Sequence, residues 1–123
     1  MSTAKVNVKI HNDLGYSMGK FWLAHRAGNS GKPEGVFGTD LDAGQDSPTY
    51  QFTLESLTTD EWTLMWSSSQ GNLIGTARFF SGEVDIGSGN VTLLATATGS
   101  VVQVVQGSKT AGTSGIVQYG YAA

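Results

Sequence analysis

The segment KVNVKIHN, residues 5–12, alternates without a break, with Val6, Val8 and Ile10 on one side and Lys5, Asn7, Lys9 and His11 on the other. Side chains of an extended strand point to opposite faces in turn, so this pattern makes a strand with one buried and one wet face. TYQFTLES repeats it, setting Tyr50, Phe52 and Leu54 against Gln51, Thr53 and Glu55. KFWLAHR sorts Phe21, Leu23 and His25 from Trp22 and Ala24. A sequence with this period cannot lay one continuous apolar stripe along a helix. Its polar residues are mainly Ser, Thr, Gln, Asn and 17 glycines, which are poor helix material.

Further strands are expected in VFGTDL, EWTLMW, NLIGTARFF and GEVDIG. NVTLLATATG and SVVQVVQG form an expected hairpin across Gly99-Ser100, and GIVQYGYAA closes the chain as a last strand. In DEWTLMWSSSQGN, Trp62 and Trp66 share a face in either a helix or a strand. The segment is short, runs into three serines and a Gln-Gly-Asn turn, and has strands for neighbours, so it reads as a strand whose tryptophans lie in the core. Gly75, Gly82, Gly87 and Gly120 read as bulges or bends. About nine short strands bounded by turn residues predict an all-β chain: one domain over residues 1–123, folded as an antiparallel β-sandwich, with a small barrel as the other option.

Composition narrows function by exclusion. Net charge is −3, and the seven Lys and Arg residues never cluster. Binding to phosphate backbones needs a basic surface, so nucleic acid is not an expected partner. With no cysteine there is no disulfide, thiolate chemistry or zinc–cysteine site. The start, MSTAKVNVKIHND, has no apolar stretch of signal-peptide length, and the expectation is a cytoplasmic protein, with non-classical export left open.

DLDAGQD places Asp40, Asp42 and Asp46 at alternating positions of a bend around Gly44. Carboxylates so spaced can converge on calcium, but the position where an EF-hand puts its bidentate Glu holds Gln51, and the commoner reading is an acidic turn. No other cofactor is indicated. His11 and His25 fall on neighbouring predicted strands with Asp13 nearby, and a third convergent group for metal or base chemistry is not identifiable. No G-x-S-x-G, P-loop or dinucleotide fingerprint is present, so the expectation is a protein that is not an enzyme. Trp22, Tyr16, Tyr119 and Tyr121 are the aromatics expected at the surface, where a flat apolar face beside Asn, Gln and Ser suits a lipid headgroup or a sugar ring.

The opening strand ending in Ile10, His11 and Asn12, a glycine-bearing turn, and a strand carrying an aromatic resembles the start of the aegerolysins. DEWTLMW is similar to a strand with paired tryptophans in their fungal and nematode relatives. The resemblance covers roughly the first half of the chain, up to Gly71. It implies a β-sandwich without catalysis that recognises membrane lipids, often sphingolipid-containing, sometimes beside a larger pore-forming partner in a cytolytic or defence system. The chain lacks the tryptophan-rich middle and the cysteine common among aegerolysins, which leaves the lipid specificity open. The expected partner is therefore a membrane lipid or a surface glycoconjugate. The alternatives are a lectin, with or without calcium at Asp40, Asp42 and Asp46, and a self-assembling structural protein pairing into a homo-oligomer through edges such as SVVQVVQG.

Overall fold

The computed structural model describes residues 3–27, 33–55, 59–68, 73–82, 90–96, 101–107 and 109–117. Among them lie nine strands: β1 (Thr3–Asp13), β2 (Met18–Ala27), β3 (Glu34–Leu41), β4 (Tyr50–Glu55), β5 (Asp60–Ser67), β6 (Leu73–Ser81), β7 (Asn90–Thr96), β8 (Val101–Gln106) and β9 (Lys109–Gly115). They form two sheets, ordered β4-β1-β7-β8-β9 and β3-β2-β5-β6. The inward rows meet in one core. Val6, Val8 and Ile10 of β1, Phe52 and Leu54 of β4, and Val102 and Val104 of β8 pack from one side. Phe21 and Leu23 of β2 with Trp62, Leu64 and Trp66 of β5 pack from the other. Both tryptophans are fully buried, as the alternation of β5 predicts.

The sandwich is not wholly antiparallel, because β1 pairs with β7 in parallel, from Asn7 opposite Asn90 to Asp13 opposite Thr96. Alternation cannot report strand direction, since parallel and antiparallel neighbours show the same period of two. β1 and β2, consecutive in the chain, lie in different sheets. His11 and His25 therefore do not sit on neighbouring strands. The hairpin of β7 and β8 is present, with Thr92 opposite Val105. β9 occupies KTAGTSG, which its Gly, Ser and Thr content marks as loop. Backbone pairing to β8 from Val101–Gly115 to Gln106–Lys109 overrides that weak propensity. GEVDIG, Gly87, Gly99-Ser100 and Gly120 lie wholly or largely outside the described residues.

The crossing from β1 to β2 turns on Asn12, which is buried. Its Nδ2 donates to the carbonyls of Tyr16 and Leu41, each at 2.9 Å, and its Oδ1 accepts from Leu14 N at 3.0 Å. Its backbone N–H donates to Gln45 O, and its carbonyl accepts from Gly44 N. One residue thus ties the corner after β1, the end of β3 and the following loop. At the opposite margin Thr76 and Val117 exchange two backbone hydrogen bonds, and Gly82 N donates to Ala111 O, so the two sheets close along β6 and β9.

Two large rings lie on glycines of the neighbouring strand. Phe21 is paired with Gly38 and Trp66 with Gly75. A Cβ on either glycine would sit within 3.0 Å of ring atoms, closer than side chains tolerate. Gly75 also adjoins the register shift between Trp66 and Ser67, where the bulge is expected. Gly38→Ala and Gly75→Ala are each expected to lower unfolding free energy by ~1–3 kcal/mol through overpacking. Urea denaturation measures this, and unchanged midpoints would refute the packing account.

Candidate functional site

Most of the exposed large apolar side chains among the described residues gather on one side of the sandwich. Trp22, Phe37 and Phe80 all lie on the outer face of the four-stranded sheet, and Val117 is bridged to its margin. The register explains how. Phe37, Trp22 and Met65 stand abreast on β3, β2 and β5, and Gly35, Ala24 and Thr63 form the next row. Arg26, Glu61 and Phe80 form the row after it. The small residues Gly35, Ala24 and Thr63 lie between two bulkier rows and make a short groove across β3, β2 and β5, bounded on β6 by Arg78 opposite Thr63. Its apolar part has a volume of about 330 Å³. The Trp22 and Phe37 rings have centroids 5.4 Å apart and are tilted by 55°, within the range of favourable aromatic contacts.

The far wall is ionic. Glu61 accepts from Arg78 Nη2 at 2.6 Å and Nε at 3.1 Å, and its other oxygen lies 3.3 Å from Arg26 Nη2. Two guanidinium groups against one carboxylate leave this wall with one positive charge in excess. The groove is amphipathic: aromatic and thioether carbon on one side, guanidinium on the other.

Of the aromatics expected at the surface, Trp22 is 37% exposed and lines the groove. Tyr16 is not free at the surface. It is half-buried against the core, and its Oη accepts from Trp66 Nε1 at 3.2 Å. A turn residue follows no alternation, so the sequence could not place this ring. Tyr119 and Tyr121 lie outside the described residues. Phe37, Met65 and the two arginines were not singled out from the sequence. The signal was there in EGVFGTDL, where Phe37 falls on the face opposite Val36.

Asp40, Asp42 and Asp46 do not converge. Asp46 accepts from Lys9 Nζ at 2.7 Å and lies 2.6 Å from His11 Nδ1. Asp42 accepts from Ser17 Oγ, and Asp40 is exposed at a φ of 58°, a left-handed conformation that Asp tolerates. Among the described residues no group of three or more His, Asp or Glu side chains could hold a metal ion. The loop instead staples itself to β1. Ser47 N donates to Ile10 O, and Ile10 N donates to Ser47 Oγ.

His25 has the company that sequence could not find. Its Nε2 lies 2.8 Å from Asp60 Oδ1, and Glu34 Oε2 stands 3.7 Å from Nδ1. The ring stacks on Phe52 and meets Trp62 at a centroid distance of 4.4 Å. Yet the His25 and Asp60 side chains are each only 1% exposed. The pair acts as a clamp between β2 and β5, beside Trp62 Nε1 donating to Ser81 Oγ at 2.8 Å.

No protein-family model matches the chain, and no curated protein matches it either.

Two outcomes follow from these side chains. Asp60→Ala is expected to cost ~1–3 kcal/mol by stranding a buried imidazole N–H, and calorimetric melting reads it. For Asp46, hydrogen bonds from Lys9 and then His11 hold the carboxyl below its usual 3.8. A depressed carboxyl stabilises the fold above its unfolded pKa and loses that contribution as pH falls through the folded value. The pair is well exposed, so its share is under about 1 kcal/mol. Asp46→Asn is expected to flatten the acid limb of stability below the ordinary carboxylate range, measured by urea midpoints against pH.

Proposed function

We propose that this protein is a non-enzymatic binding module that engages membrane lipid through the outer face of its four-stranded sheet. The observation that carries this is the exposed pair Trp22 and Phe37, abreast of Met65, on the same face as the Arg26–Glu61–Arg78 wall, with exposed Phe80 beyond that wall. Scattered surface hydrophobics are ordinary, but a contiguous patch with a polar rim marks an interaction surface. The chemistry favours a bilayer surface. Aromatic rings settle at the boundary between headgroups and acyl chains, and guanidinium groups remain with the headgroups. The resemblance to aegerolysins points the same way and makes sphingolipid-containing membranes the first to try. On that reading the chain works from the cytoplasm or after non-classical export. It presents lipid recognition to a larger pore-forming partner or to further copies of itself.

Trp62 and Trp66 are buried, so Trp22 is the tryptophan able to report on lipid. Titration with sphingomyelin-containing vesicles is expected to shift tryptophan emission to the blue and to protect it from acrylamide. Trp22→Ala or Phe37→Ala is expected to weaken vesicle binding, read by co-sedimentation, about ten- to a hundredfold, since burying one such side chain is worth ~1.5–3 kcal/mol. Unchanged emission with sphingomyelin-containing and sphingomyelin-free vesicles alike would remove the proposal.

A further inference from the structure

The outer face of the other sheet has the opposite chemistry. We infer that it carries a second binding site, for a neutral polyhydroxylated ligand, that is, a carbohydrate. The site is a depression of about 260 Å³ lined by Asn7, Lys9, Thr49, Asn90 and Thr92, with Val91 beside them. It lies across β1 and β7, on the far side of the core from Trp22.

The register builds a row of carboxamides. Asn7 is directly opposite Gln51 on β4 and directly opposite Asn90 on β7. One rung further on, Lys9 stands opposite Thr92. The side chain of Asn7 is held loosely by its two neighbours. Gln51 Nε2 donates to Asn7 Oδ1 at 3.4 Å, and Asn7 Nδ2 donates to Asn90 Oδ1 at 3.5 Å. Both are long beside the usual 2.9–3.0 Å of N–H···O hydrogen bonds, so a ligand hydroxyl replaces them at little cost. Each carboxamide presents two donors and one acceptor. A hydroxyl also donates and accepts. A row of amides therefore matches a row of hydroxyls, which neither an apolar group nor a simple ion does.

Charge selects the same ligand class. Lys9 Nζ is neutralised and oriented by Asp46 at 2.7 Å, and Asp46 is held in turn by His11. The remaining described lining residues are uncharged, and the chain carries a net charge of −3, which disfavours polyanions. No aromatic ring is found among the described residues that line the depression, and the ligand is held there by its polar edges rather than by stacking. The backbone beneath Asn7 is fixed, because β1 sits inside its sheet with pairing on both sides. This site does not depend on the lipid groove.

The test is an NMR titration of the ¹⁵N-labelled chain with glucose, galactose, mannose and N-acetylglucosamine, with inorganic phosphate as the ionic control. The side-chain amide signals of Asn7, Gln51 and Asn90 are expected to move saturably with at least one sugar and not with phosphate. Asn7→Ala is expected to weaken that binding about tenfold, and Gln51→Ala, on an edge strand, gives a second variant should Asn7→Ala fail to fold. Trp22 emission on vesicles is read in parallel and is expected to be unchanged in both variants, so loss of the lipid reading and loss of this one are separable. Amides that stay still with every sugar overturn the inference. So do shifts that map to Trp22 and Phe37, or amides that answer only to phosphate.

Discussion

The carboxamide of Asn12 is the contact on which this architecture turns. A buried amide left without partners is costly, and here both of its polar atoms are matched to main-chain groups of the adjacent turn and of β3. That requirement fixes the point where the chain leaves the five-stranded sheet. It also fixes where β3 must end, since Leu41 supplies one of the acceptors. β2 and β3 carry Trp22 and Phe37, so the groove inherits its position from a residue on the other sheet. The triplet Ile10, His11, Asn12 divides the labour: core packing, the Asp46 ion pair and the corner.

With both tryptophans of β5 spent on the core, the surface chemistry is left to the outward rows. Those rows differ sharply between the sheets. The four-stranded sheet turns rings, a thioether and arginines to solvent, and the five-stranded sheet turns amides, hydroxyls and the Lys9–Asp46–His11 network. The contrast between the two outer faces is what gives the sandwich a direction.

The inward rows were legible in the sequence because burial of one face imposes a period of two, and β1, β2, β4 and β5 obey it. Tyr16 is half-buried rather than free because a turn residue follows no period, and tertiary contacts with Trp66 Nε1 and Asn12 hold it against the core. The His25–Asp60 clamp was hidden because its members are 35 residues apart and meet through strand pairing. The groove was half visible: Trp22 could be assigned an outward face, but its neighbours depend on register across β3, β2 and β5. A shift of one residue would have put Gly38 beside Trp22 in place of Phe37.

The parallel pairing of β1 and β7 has a consequence for how the molecule is made. β1 is the earliest described strand, yet it lies inside its sheet, between β4 and β7. Its two hydrogen-bonding edges are completed by partners that follow much later in the chain, β7 only from Asn90 onward. Closing such distant pairs costs loop entropy before any contact returns it, which places the fold among the slow, non-local ones. Until β7 arrives, an alternating, apolar-faced ribbon stands with an open edge during synthesis. The lysines that punctuate its wet face, Lys5 and Lys9, are the kind of residue that keeps such an edge from finding the wrong partner.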